Sequence, residues 1–216
     1  KNDGNKFVKE SFKKKVSLAV VNKIQKNLNY RRQIKVNDTL KFLTKTSKIF
    51  RENINTKIIA ITGSCGKTTL KELLGNSLKK ISKVSISPKS YNNKYGVPLS
   101  LFNIKQNDDY GILEVGMDKK GEIDNLSNLI KPNLGLITNI SFAHIENFKN
   151  LDQIAKAKGE IINNIVPGGT MIINKDDKYY KYFFKRAKER KLSVISFSKT
   201  DKNANIVFLN QKKNKK

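Results

Sequence analysis

One cysteine, one histidine, few arginines and far fewer acidic than basic groups mark this chain, and it has no long apolar run. The single thiol, Cys65, excludes an intrachain disulfide framework and fits a reducing, cytoplasmic setting. No apolar stretch approaches the roughly 20 residues needed to cross a bilayer, and no signal-peptide pattern opens the chain, so membrane insertion is not expected. The formal net charge of +26 invites a nucleic-acid reading. Against it, the lysines are spread along the whole chain and no basic segment with interleaved aromatics appears. Abundant lysine, asparagine and isoleucine with scarce arginine is the signature of an AT-rich coding sequence. A solvated lysine-rich surface that helps anionic substrates approach is the better account, with no nucleic-acid partner expected.

What is present is organised. From Lys57 onward strands and helices alternate: strands at Ile58–Thr62, Val84–Ser87, Gly111–Val115, Leu134–Ile140, Met171–Asn174 and Leu192–Phe197, and helices at Thr68–Lys80, Glu122–Ile130, Leu151–Ile165 and Lys178–Arg190. The pattern implies an α/β fold with a mainly parallel sheet flanked by helices, its ligands gathered at the carboxyl ends of the strands. Before it lies a smaller α/β piece: a helix at Phe7–Lys14, short strands at Val16–Val21 and Ile34–Val36, and a helix from Thr39 capped by Asn37-Asp38, with Leu40, Leu43 and Ile49 on one face. Residues 1–54 and 55–216 are the expected domains, joined near Glu52–Thr56. The chain opens on Lys1 and ends in a Lys/Asn-rich run directly after an apparent strand at Ile206–Leu209. It therefore reads as a fragment cut at both ends, or as a domain with a disordered tail.

The most informative segment is Ile58 to Thr69, a buried strand running into Thr62-Gly63-Ser64-Cys65-Gly66-Lys67-Thr68-Thr69 and then a helix. That is the setting of a phosphate-binding loop. Glycines at 63 and 66 let successive N–H groups point at phosphate oxygens, Lys67 supplies a point charge, and the Thr68 hydroxyl suits Mg²⁺. The usual spacing would place a glycine at 61, where this chain has Ile61. Gly63, Ser64, Cys65, Gly66, Lys67, Thr68 and Thr69 are the expected nucleoside-triphosphate contacts.

Other groups follow the expected strands. Glu114 can face a metal held by Thr68, although an ordinary strand-end glutamate would look the same. His144, the only histidine, follows the strand ending in Thr138-Asn139-Ile140, and is read as a metal ligand although lone histidines are more often structural. Lys158 lies in a helix where composition alone reads it as one more solvated lysine. Ser90-Tyr91-Asn92-Asn93-Lys94-Tyr95-Gly96-Val97-Pro98-Leu99-Ser100 reads as a shaped polar loop, with plain turn chemistry as the simpler account.

Taken in order, T-G-S-x-G-K-T-T, N-N-x-x-G-V-P-L, E-V-G-M, T-N-I-x-x-x-H and A-K-G-E-I resemble the Mur ligase family, the ATP-dependent amide-bond synthetases of peptidoglycan assembly. The resemblance runs over nearly the whole chain. The Asn92–Leu99 segment, Ala143-His144-Ile145-Glu146 and Ala157–Ile161 favour the branch that joins D-Ala-D-Ala to UDP-MurNAc-tripeptide; siblings usually carry Asp-His at the Ala143-His144 position. The resemblance implies phosphorylation of the tripeptide carboxylate by ATP, then attack of the dipeptide amine on the acyl phosphate. It implies two Mg²⁺ ions, with Thr68 and Glu114 at one and His144 at the other. It further implies that Lys158 is carbamylated by CO₂ and organises metal, that Lys67, Asn139 and His144 act at the reacting centre, and that Asn92 and Asn93 meet the substrate. On the same ground residues 1–54 resemble the end of a UDP-substrate domain, and residues 55–216 the central ATP-binding domain. A uridine-gripping start and a C-terminal domain are missing from the sequence, so the polypeptide as given is expected to be inactive, and a monomer. The rivals are a folylpolyglutamate synthetase-like ligase, which shares the phosphate loop and the lysine, and a basic nucleic-acid-binding ATPase module.

Overall fold

The computed structural model describes residues 3–142 and 147–208. The readings placed on Ala143, His144, Ile145, Glu146 and Leu209 onward lie outside the described residues. The chain divides into two compact units, residues 1–46 and 47–216.

In the first unit a 3₁₀ turn leads into helix α1 (Val8–Lys13), and strands β1 (Ala19–Val21) and β2 (Gln33–Lys35) pair in parallel. The expected strand from Val16 is thus only three residues long. The buried Gln33 side chain bonds both the N–H and the carbonyl of Gln25, closing the turn between the strands. Helix α2 (Thr39–Glu52) starts where Asp38 Oδ1 accepts the N–H groups of Leu40 (2.8 Å) and Lys41 (3.0 Å), as the sequence predicts. One expected core position fails: Ile49 is 51% exposed, and Ser47 and Phe50 turn inward instead. The reason is periodicity, since at 100° per residue position 49 lies half a turn from position 40.

The second unit is built on seven parallel strands. β3 (Lys57–Thr62) is central; β4 (Val84–Ile86) and β5 (Tyr110–Glu114) lie on one side, and β6 (Leu134–Ile137), β7 (Thr170–Asn174), β8 (Ser193–Ser198) and β9 (Ile206–Val207) on the other, in the order 4-5-3-6-7-8-9. After β3 the chain builds outward to β4, returns to β5 and crosses over to β6. The order therefore reverses around β3, and a crevice opens beyond the carboxyl ends of β3, β5 and β6.

Strand β3 shows why the sheet is covered twice. Ile58 and Ala60 enter one apolar cluster, Ile59 and Ile61 the other. The smaller cluster is roofed by helix α3 (Lys67–Leu78) through Leu70, Leu74 and Leu78. The larger takes Val97 and Leu101 of α4 (Gly96–Phe102), Ile123, Leu126, Leu129 and Ile130 of α5 (Glu122–Ile130), Ile154 and Ala157 of α6 (Leu151–Gly159), and Phe183 and Ala187 of α7 (Tyr180–Glu189).

Three elements of this unit depart clearly from expectation. The segment read as a polar loop contains helix α4: Asn93 Oδ1 accepts the N–H groups of Tyr95 and Gly96, and Pro98 falls in the first turn, where its missing donor is harmless. Strand β6 ends at Ile137 rather than Ile140, because Thr138–Ser141 leave the sheet to bond the loop after β3. The expected helix to Ile165 tightens after Gly159 into a 3₁₀ stretch over Glu160–Asn164.

Ile61 is fully buried between β3 and α3. Ile61→Ala is expected to lower unfolding free energy by about 3 kcal/mol, read by urea denaturation.

Candidate active site

Two glycines shape the turn after β3. Gly66 has φ +81° and precedes α3, and Gly63 has φ +141° with Thr138 so close that an added Cβ would lie 1.8 Å from its Oγ1. No other residue type fits at 63. With α3 beginning at Lys67, the N–H groups of its first turn have no preceding carbonyls to bond, and the positive end of the helix dipole faces the crevice.

The loop is laced to the segment leaving β6. Ser64 N–H donates to Asn139 O (2.9 Å), Ser64 Oγ to Ser141 O (2.8 Å), and Ser141 N–H back to Ser64 Oγ (2.9 Å). Asn139 spans Cys65, accepting its N–H at 3.2 Å and donating to its carbonyl at 3.2 Å; Thr138 Oγ1 donates to the same carbonyl at 2.7 Å. The Asn139 side chain is thus a strut of the loop. Cys65 itself is exposed, as is Thr69.

Two lysines meet on one acceptor. Lys67 Nζ folds back onto Gly63 O (2.9 Å) and lies 3.4 Å from Ser64 O, while Lys158 Nζ, carried by α6, donates to Gly63 O at 3.0 Å. Lys158 is only 2% exposed. Burial, with the Lys67 charge adding to it, pushes its amine down to about 8. The composition-based reading of Lys158 as a solvated helical lysine is overturned.

On the other side of the loop a hydroxyl and a carboxylate converge. Thr68 Oγ1 donates to Glu114 Oε2 at 2.7 Å, Asn92 Nδ2 donates to Glu114 Oε1 at 2.8 Å, and Glu114 is buried. Ser90 Oγ lies 3.4 Å from Thr68 Oγ1. Among the described residues no cluster of three or more His, Cys, Asp or Glu could hold a metal. One hydroxyl and one carboxylate are instead a hard-oxygen pair of the kind that shares Mg²⁺ with phosphate oxygens, so the residues fit the ion. A cavity of about 430 Å³ opens beside this pair, lined by Lys67, Asn92, Asn93, Gly116 and Glu122. Asn93 reaches it with its Oδ1 already occupied as the cap of α4.

Sequence reasoning missed Ser90, Thr138 and Ser141, whose roles rest on contacts across about 20 to 80 residues that no local pattern announces. It also missed Glu160, whose carboxylate accepts the N–H groups of Gly121 (2.9 and 3.1 Å) and Asp124 (3.2 Å) and so caps α5. Burial raises the Glu160 carboxyl, against the lowering effect of those N–H groups. His144 lies outside the described residues.

A glycine turn between a central parallel strand and a helix, with lysine, hydroxyl and carboxylate at its mouth, defines a phosphate-loop nucleotide-binding domain. Residues 61–216 match the Mur ligase middle domain family, and the chain belongs to that family. It is 36% identical, over 99% of its own length, to the UDP-N-acetylmuramoyl-tripeptide–D-alanyl-D-alanine ligase of Buchnera aphidicola from Acyrthosiphon pisum, and spans 43% of that relative. Among solved structures it resembles MurF from Acinetobacter baumannii, at TM-score 0.82 and 31% identity over 94% of this chain and 43% of that one. It also resembles MurF ligase from Thermotoga maritima, solved in complex with ADP, at TM-score 0.78 and 26% identity over 92% of this chain and 45% of that one.

The buried lysine carries a pH signature. At neutral pH Lys158 is charged in both folded and unfolded chains, so folding bears the full cost of burying the charge. Between the folded value of about 8 and the ordinary 10.5 the unfolded chain holds the extra proton, and stability rises with pH. Relative to Lys158→Met, the wild-type chain is expected to gain up to about 3 kcal/mol across that window, measured by denaturant titration at a series of pH values.

Proposed function

We propose that this chain supplies the ATP-binding core of a peptidoglycan-precursor ligase joining D-Ala-D-Ala to UDP-MurNAc-tripeptide. The observation that carries the reading is the pairing of the laced phosphate loop with a buried lysine, Lys158, on its Gly63 carbonyl. The 36% identity to a ligase of that name supports the substrate assignment. In this reading residues 1–54 are the end of the UDP-substrate domain and residues 55–216 belong to the ATP-binding domain.

The chemistry follows from the groups present. A carboxylate is a poor acylating agent, so its oxygen attacks the γ-phosphorus of ATP, ADP leaves, and an acyl phosphate forms. The amine of D-Ala-D-Ala then attacks the acyl carbon, loses a proton, and phosphate departs with the C–O bond. Negative charge collects between the γ-phosphoryl group and the carboxylate. Lys67 leaves its loop carbonyls to meet it, and the N–H groups at the start of α3 hold the phosphates. Thr68 and Glu114 would hold Mg²⁺, which supplies charge neutralisation on the phosphate oxygens. Asn92 keeps Glu114 oriented; Asn92 and Asn93 face the tripeptide side, Asn139 fixes the loop beside the reacting centre, and His144 would be a ligand of a second Mg²⁺. The protein works as a monomer in the cytoplasm, without nucleic acid or membrane partners.

Lys158 suits carbamylation on physical grounds. Only a neutral amine adds to CO₂, and with its value near 8 about half of Lys158 is neutral at that pH, against under 1% for an exposed lysine. The product carbamate is an anion, which replaces repulsion from Lys67 by attraction.

Binding, labelling and turnover measurements test this. The chain is expected to bind ADP with Mg²⁺, and Lys67→Ala to weaken that binding by roughly tenfold to a hundredfold in isothermal titration, the value of a charge-assisted phosphate contact; unchanged affinity would sink the loop assignment. A ¹³C carbamate signal is expected under labelled bicarbonate and should vanish in Lys158→Arg. Residues 1–216 alone should release no D-Ala-D-Ala-dependent phosphate. A full-length protein should do so with UDP-MurNAc-tripeptide and remain silent with a folate and glutamate, the reverse result favouring the folylpolyglutamate-type rival.

A further inference from the structure

Lys71 is fully buried, at 0% exposure, and no step above uses it. Lysine is almost never fully buried unless its ammonium is satisfied. Here Nζ donates to the carbonyls of Ser87 (2.7 Å) and Lys89 and lies 3.2 Å from the Glu72 carboxylate. Both carbonyls belong to the segment leaving β4, and Lys89 holds φ +44°, a conformation that a non-glycine residue keeps only when its surroundings impose it. The next residues reach the metal-site pair: Ser90 Oγ lies 3.4 Å from Thr68 Oγ1, and Asn92 bonds Glu114 through its side chain and Gly116 N–H through its carbonyl at 2.8 Å.

Lys71 follows Thr68 by three positions on α3, so both lie on one face of the same rigid helix. A methionine or leucine would fill the space beneath β4 without a buried ammonium to satisfy. What the ammonium adds is a grip on two carbonyls of the segment that delivers Ser90 and Asn92. We propose that Lys71 is a positioning residue for the Mg²⁺ side of the site, fixing residues 87–92 against α3 so that Asn92 and Ser90 hold Glu114 and Thr68 in register. The proposal rests on the reading of Thr68 and Glu114 as the Mg²⁺ pair.

The test uses the 216-residue chain and reads binding rather than turnover. ADP is titrated in EDTA, and Mg²⁺ is then titrated into the protein–ADP complex. Lys71→Met is expected to leave ADP affinity in EDTA within about twofold while weakening Mg²⁺ about tenfold, the scale of an outer-shell support. Lys71→Gln, which keeps two N–H donors, should recover part of that loss. Equal Mg²⁺ affinity in Lys71→Met and wild type overturns the proposal, and so does a parallel loss of ADP affinity in EDTA. If Lys71→Met does not fold, Lys71→Gln carries the measurement, and failure of both to fold reduces Lys71 to a core strut and overturns the proposal. A wild-type chain that binds no ADP overturns the nucleotide reading itself, and this inference with it.

Discussion

The carbonyl oxygen of Gly63 holds the site together, because two ammonium groups from distant parts of the chain share it. Lys67 reaches it from the first turn of α3 and Lys158 from the end of α6. Burial first, and the like charge of Lys67 on the same acceptor second, lower the affinity of Lys158 for its proton. Two cationic side chains at one turn favour an anion there, on top of a chain whose net charge of +26 already favours the approach of polyanions.

The fold makes that convergence possible. Strands β5 and β6 flank β3, so the residues after all three strands fall within one crevice. Glu114 ends β5, Thr138–Ser141 follow β6, and the glycine turn follows β3. The early end of β6 frees backbone and side chains to lace the turn in advance. Its shape is therefore set by hydrogen bonds within the protein, and order of that kind lowers the cost of binding.

Much of this architecture was legible in the sequence. The central strand was visible because a strand buried on both faces reads as a continuous apolar run, and the glycine turn because few residue types tolerate its backbone. Boundaries slipped where tertiary contacts decided them, as at β6 and at the tightened end of α6. Helix α4 hid behind Asn, Gly and Pro, which serve a short buried helix as cap and first-turn residues just as well as they serve a turn. Lys71 and Lys158 were invisible to composition, since in a chain so rich in lysine nothing local separates a buried ammonium from a solvated one. Only family resemblance singled out Lys158, and nothing pointed to Lys71.

The end of α6 carries a further constraint. Within three residues, Lys158 reaches the phosphate turn and Glu160 reaches the N-terminus of α5, with Gly159 between them packed near Phe183. These contacts point to different parts of the second unit and depend on the rotation per residue, about 100° in α6 and about 120° in the 3₁₀ stretch that follows it. A one-residue insertion or deletion there would swing one group away while the other stayed in place. This short stretch has almost no freedom to change length over evolutionary time, whereas exposed loops elsewhere in the chain can lengthen at little cost.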